Sequence, residues 1–341
     1  MRAVTLGRTG LEVSAVGFGG IPIQRLGEAE AVQVVQRALD LGVTFIDTAQ
    51  GYSDSQAKIG KAIAGRRDGL VLASKAGPAS RDEMLAAVDE SREQLGVESI
   101  DLYQLHGVNS LDKWERIKAP GGALEGLIEA RDDGRVKHVG FTSHSADMAR
   151  MLLDVEVFET IQFPFNLVTA EPAEELIPAA RERGLGFIVM KPLCGGQYDN
   201  ANLAFKFLNG YPDLVAIPGI ERVEEIEQIV PLVESGAILA GEELAEAERI
   251  AAELGSEFCR RCGYCMPCPN DVPVMEAMIF ESFVQRLPKD RVKPMAERLI
   301  EAVANCMECG ACEEACPYNL PIRRKIKEVR EEAQRVAVKL A

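Results

Sequence analysis

Residues 43–52 read VTFIDTAQGY. A short run of apolar and β-branched residues ends in Asp47, and a polar segment then carries Tyr52. The run suits a strand covered on both faces, where a charge is tolerated mainly at the tip. Two further runs share the form: LVLASK (70–75) ends in Lys75 and IDLYQLH (100–106) in His106. SAVGF, VKHVGFT, TIQF, GFIVMK and LVAIPG complete a set of eight. Between them lie stretches such as EAEAVQVVQRALDLG, RDEMLAAVDESREQLG and PAEELIPAARERG. Their apolar residues recur at three and four, and glycine ends them, as in amphipathic helices. After a hairpin at roughly 3–13, this alternation predicts an α/β fold, a (β/α)8 TIM barrel over residues 1–240. A doubly wound sheet fits less well, because GFGGIP places Pro22 where a dinucleotide fingerprint needs its third glycine. In a barrel all eight strand tips share one rim, the rim at which such folds carry their chemistry.

Charge and composition narrow the function. The chain has 341 residues, 53 acidic against 38 basic, for a net charge of −15. That balance argues against nucleic acid and anionic membrane surfaces as partners. No apolar stretch approaches the roughly 20 residues of a membrane span, and MRAVTLGRTG lacks the apolar core of a signal peptide. The expectation is a soluble cytoplasmic protein.

Eight of the nine cysteines lie beyond residue 258. They fall in two runs, CRRCGYCMPCP (259–269) and CMECGACEEACP (306–317). The second has the bacterial ferredoxin spacing for [4Fe–4S] clusters, and the first is one residue shorter before its last cysteine. Structural zinc is the competing reading, but it commonly uses separated pairs of ligands rather than tight quartets. GEELAEAERIAAELG (241–255) predicts an acidic amphipathic helix, and VPVMEAMIFESFVQRL and KPMAERLIEAVANC also look helical. Residues 241–341 are therefore expected to form a mainly α-helical, ferredoxin-like domain with two [4Fe–4S] clusters. The basic stretch RRKIKEVREEAQRVAVK (323–339) reads either as a solvated helix face or as a docking patch for an acidic electron carrier.

FIDTAQGY, LVLASK and DLYQLH resemble the aldo-keto reductases, and the likeness covers roughly residues 1–240. The resemblance implies that Asp47, Tyr52, Lys75 and His106 form a catalytic tetrad. The chemistry of those residue types agrees. A carbonyl receiving hydride needs a proton, and a phenol with a pKa of about 10 gives one up more readily beside an ammonium. Asp47 would hold Lys75 charged, and His106 would bond the carbonyl oxygen. By the same resemblance GFTSHS places Thr142 and Ser143, with Gln162, at the nicotinamide amide, and Gly19 lies beside the cofactor. VMKPLCGG puts Met190 where the family often has a stacking aromatic ring, followed by Lys191, Pro192 and Leu193. IPGIERVEE brings Gly219 and Arg222 to the adenosine phosphate. Arg222 would pair with a 2′-phosphate and Glu221 would repel it, which favours NADP(H) over NAD(H). Trp114 would wall a substrate pocket or pack under its own loop. Cys194 reads as a packing residue, and His138 and His144 as polar strand and loop residues.

Aldo-keto reductases joined to a C-terminal ferredoxin-like segment form a recognised subgroup, which this chain resembles along its length. In two-cluster ferredoxins the fourth cysteine of each run ligates the other cluster. That implies one set of Cys259, Cys262, Cys265 and Cys316, and another of Cys306, Cys309, Cys312 and Cys268. A nicotinamide gives two electrons together and a cubane passes one at a time, so a flavin between them would also serve. The expected function is reduction of a small carbonyl compound, or the reverse, coupled to an electron-carrier protein. The alternative is a nucleotide- or flavin-binding redox-sensing subunit with little turnover. Oligomeric state is open.

Overall fold

The computed structural model describes residues 1–340. It divides into two compact units, Met1–Ala245 and Glu246 onward, and the boundary falls inside the helix Glu242–Gly255.

The first unit opens with an antiparallel hairpin of β1 (Ala3–Thr5) and β2 (Glu12–Ser14). Eight parallel strands follow: β3 (Phe18–Gly19), β4 (Phe45–Asp47), β5 (Val71–Ala76), β6 (Ile100–Leu105), β7 (Val136–Thr142), β8 (Thr160–Pro164), β9 (Gly186–Met190) and β10 (Val215–Ile217). Each pairs with its neighbours in chain order. Bridges Val16–Ala216 and Gly19–Gly219 join the first strand to the last and close the barrel. That seam demands a bare backbone. A Cβ on Gly19 would stand 2.6 Å from the Pro218 carbonyl oxygen, which accepts the Gly19 amide.

Helices cover the strands with a buried stripe. Glu28–Asp40 buries Ala31, Val34, Val35, Ala38 and Leu39, a spacing of three and four. Arg81–Leu95 starts at a reciprocal Ser80–Glu83 capping box and stops at Gly96, whose φ of 66° suits glycine. PAEELIPAARERG is helical only over Leu176–Glu182. Glu175 (φ −126°, ψ −60°) leaves helical backbone and separates it from a 3-10 turn at Glu171–Ala173. The hairpin closes the end opposite the Asp47 tip. Gly7 bridges Leu185, and the Arg8 guanidinium bonds the carbonyls of Glu156 and Phe158, just before β8 and β9.

The second unit is helical: Val274–Met278, Phe280–Arg286, Lys289–Val303, Ala311–Glu314 and Ile322–Lys339. Its core joins Phe280, Ala296, Leu299, Leu320, Ile326 and Val329, with cysteines packed against it. Among the described residues no helix is long and apolar enough to cross a membrane.

Candidate functional site

Asp47 ends β4, Lys75 is the penultimate residue of β5, and His106 follows β6 by one residue. The Lys75 ammonium donates to Asp47 Oδ1 at 2.6 Å and to the Thr48 carbonyl at 2.8 Å, with both side chains buried. Past Asp47 the chain stays on β5, since Thr48 and Gln50 donate to the carbonyls of Ala73 and Lys75. It then turns, with the Tyr52 amide on Ala49 and the Ser55 amide on Tyr52, and Ser55 Oγ donates to Gly20. This turn brings the Tyr52 ring over the rim. Lys75 Nζ lies 5.2 Å from its centroid, and the His106 ring meets it edge-on at 5.9 Å and 81°.

Electrostatics follow from that packing. Burial, then the cations Lys75 and Lys113, push the His106 imidazole down to about 3, so the ring is neutral at neutral pH. Lys113 also donates to the carbonyls of His106 and Gly107, which fixes the strand end. Burial pushes the Asp47 carboxyl above the ordinary carboxylate range, against the pull of Lys75 and the Gln162 amide. Gln162 Oε1 in turn accepts from the buried Gln104 Nε2 at 2.9 Å. Sequence reasoning passed over Gln104. Its signal was a polar residue inside a buried strand, two positions from His106 and so on the same face.

The residues expected to hold cofactor divide. Thr142 Oγ1 accepts the Gly107 amide and Ser143 Oγ donates to the Val108 carbonyl, while Asn109 Oδ1 takes the His144 amide. These buried groups pin the loop after His106. Met190 stands partly exposed at the tip of β9. Lys191 (φ 57°) and Cys194 (φ 49°) hold left-handed backbone in the turn that carries Pro192 and Leu193. Asn166, another residue missed in sequence, anchors that turn by donating to the Lys191 carbonyl at 2.8 Å. Cys194 is buried. Gly19 and Gly219 meet at the barrel seam.

One expectation changes. Glu221 is paired with Arg25, so the carboxylate expected to repel a phosphate is neutralised by a residue 196 positions away. Arg222 is exposed and bonds Glu225, whose other oxygen caps the amides of Glu221 and Arg222 at the start of the helix Val223–Ser235. Trp114 is buried, with its ring 6.2 Å from Phe158. His138 bonds Glu159 on the strand layer.

In the second unit the cysteines surround two cavities. Cys259, Cys262, Cys265 and Cys316 line one of about 20 Å³, and Cys268, Cys306, Cys309 and Cys312 line one of about 110 Å³, whose wall Cys265 also touches. The two runs repeat one backbone. Arg261 and Glu308 (φ 63° and 56°), Gly263 and Gly310 (86° and 85°), and Asp271 and Asn319 (54° and 51°) correspond. Pro273 and Pro321 follow with φ and ψ of −76°, 68° and −75°, 65°, each starting a helix. Left-handed residues in such loops turn successive amides inward, a concavity that suits anionic sulfur. The donor set fits a polynuclear iron–sulfur group. Burial and the neighbouring Cys259 and Cys262 push the Cys265 thiol up to about 12, a crowding of sulfurs that positive charge relieves. Among the described residues no three His, Cys, Asp or Glu side chains close on a single-ion position, so the sulfurs stand around cavities. The basic tail is largely spoken for within this unit. Arg323 pairs with Glu313, Lys327 with Glu308, and Arg324 and Lys325 with Glu257.

The closed barrel thus carries Asp47, Lys75, Tyr52 and His106 on one rim. The chain belongs to the Aldo/keto reductase family, whose signature matches residues 15–210, and the signature of the 4Fe-4S dicluster domain matches residues 255–320. It is 31% identical over 215 residues to probable aldo-keto reductase 1 of Glycine max, covering 58% of this chain and 60% of that protein. To aldo-keto reductase YhdN of Bacillus subtilis it is 29% identical over 215 residues, covering 58% and 63%. The match thus spans under two thirds of these relatives' length. The fold is that of aldo-keto reductase AKR11C1 from Bacillus halodurans, with a TM-score of 0.63 and 23% identity over 74% of this chain and 96% of that one. It is likewise that of the Klebsiella pneumoniae aldo/keto reductase solved with NADP and acetate (TM-score 0.62, 24% identity, 73% and 95% covered).

Proposed function

We propose that the protein reduces a small carbonyl compound, or oxidises the alcohol, at the barrel rim, using NADP(H) in preference to NAD(H) and Tyr52 as proton donor. In this reading the eight cysteines hold two [4Fe–4S] clusters that exchange single electrons with a carrier protein in the cytoplasm. The observation that carries it is the convergence of Tyr52, Lys75 and His106 from three separate segments onto one rim.

Each side chain has a task in that reaction. The carbonyl oxygen gains negative charge as the carbon is reduced, and the Tyr52 hydroxyl gives it a proton. Lys75 beside the ring favours the phenolate left behind, which eases release of the proton. Asp47 holds the ammonium in place. The neutral His106 donates one N–H to the same oxygen and fixes the substrate's pose. Arg25 cancels the charge of Glu221, and a 2′-phosphate would compete with Glu225 for the exposed Arg222 guanidinium. When bound, the nicotinamide supplies hydride and the clusters supply one-electron transfer.

A flavin at the same rim is the second reading. Met190 in place of an aromatic ring favours it, as does the need to divide a hydride's electron pair. The visible spectrum of protein isolated without oxygen separates iron–sulfur, zinc and flavin. The reductase reading is tested on the same sample: Tyr52→Phe should lower NADPH-dependent carbonyl reduction by about 10²-fold or more with nucleotide affinity unchanged. Undiminished turnover in that variant removes Tyr52 from the mechanism.

A further inference from the structure

Because the two cysteine loops share a backbone, their side chains can be compared position by position. Cys259-Arg260-Arg261-Cys262 corresponds to Cys306-Met307-Glu308-Cys309, with left-handed residues at the third place of each. The surroundings then diverge. At one cavity Met307 is 75% exposed and Cys309 is exposed, while the exposed Tyr264 lines both cavities. At the other cavity Cys316 is buried, and the wall includes Met275, Met278, Tyr318 and Leu320.

Charge diverges too. Among the described residues, thiolates apart, Arg260 is the one ionised side chain lining the smaller cavity. Its guanidinium lies 4.0 Å from the centroid of Tyr318, and Nη1 donates to the carbonyls of Gly255 and Phe258. The larger cavity is lined by Glu308 and Arg323, one of each sign. A fixed cation in an apolar wall favours the more negative, reduced state of whatever the adjoining sulfurs hold.

We propose that the C-terminal unit is a directional relay: the Cys268, Cys306, Cys309 and Cys312 site is the port to a one-electron carrier, and the Cys259, Cys262, Cys265 and Cys316 site, tuned by Arg260, is where the electron is held. This rests on the two-cluster reading above. The exchange at the port moves one electron and makes or breaks no bond. The carrier is oxidised by one and the protein reduced by one. Arg260 acts through the sulfurs beside it and is a positioning residue for charge.

The test is a redox titration of the full chain followed by electron paramagnetic resonance, with and without a soluble paramagnetic chelate. In the unaltered protein the chelate should broaden one cluster signal and spare the other. Arg260→Gln should move the spared cluster to lower potential, leave the broadened one in place and keep iron and sulfide content. Arg260→Lys should restore most of the unaltered potential. Equal broadening of both signals overturns the proposal, as does a shift that falls on the broadened cluster or no shift in Arg260→Gln. The broadening is read on unaltered protein, so it stands even where a variant loses iron. Iron and sulfide for a single cluster would instead sink the two-cluster reading.

Discussion

The Lys75–Asp47 pair shows how little room a single residue has at this rim. Both groups are buried, and neither could keep its charge there alone. Lys75→Met should strand the Asp47 carboxylate and cost roughly 3–5 kcal/mol of stability, read by urea unfolding. Carbonyl reduction should fall with it. His106 gives a pH signature. Its folded value of about 3 lies below the free value of about 6.5. Its contribution to stability is therefore complete above about pH 6.5 and is lost as pH falls toward 3. A His106→Gln chain should lose less stability between pH 7 and pH 4, by up to roughly 3 kcal/mol. The rate profile of the unaltered protein should show no ionisation near 6.5. Arg25 is a third case. Arg25→Ala frees Glu221, and should raise the Kd for NADP(H) by roughly tenfold, about 1.4 kcal/mol, with NAD(H) much less affected. Equal losses for both nucleotides would show that Arg25 does not act through a 2′-phosphate.

At the level of elements, the seam between β3 and β10 is where the barrel is most easily opened. Gly19→Ala would force a methyl against the Pro218 carbonyl and displace the bridge to Gly219. Destabilisation of about 1–3 kcal/mol is expected, seen as a lower melting temperature, while a distant surface glycine such as Gly27 should tolerate alanine. Gly19 and Gly219 were each legible, but their pairing was not, because only closure brings strands 200 residues apart together. The helix Ile322–Lys339 teaches a related lesson. Its sequence reads as a basic face open to solvent or to a partner. The fold sets Arg323, Lys327 and Arg324 against Glu313, Glu308 and Glu257, and those acids lie within or just before the cysteine runs. Exposed pairs of this kind are each worth up to ~1 kcal/mol. Individual alanine substitutions should therefore scarcely move unfolding.

Two compact units with different sources of stability should come apart in solution. The barrel rests on an apolar core, whereas the cysteines of the second unit are packed into the core they would brace. Removing iron from the loaded protein with a chelator under nitrogen should abolish a lower, cluster-dependent transition in calorimetry and leave the barrel transition in place. A single transition, lost as a whole on chelation, would mean that the two units fold as one.

Local pattern was enough for several features of this chain. Short buried runs tipped by Asp47, Lys75 and His106 foretold the strand order and the rim, because charge is tolerated in such strands only at an end. Cysteine spacing likewise announced an iron–sulfur unit, since ligand geometry is written into x2 and x3 intervals. Tertiary structure alone settled which groups meet across the chain. It set Arg25 on Glu221, Gln104 under Gln162, Asn166 on the Lys191 turn and Trp114 against Phe158. Each of those contacts joins segments that no period or spacing relates, so only closure of the barrel and the packing of its loops could bring them within reach.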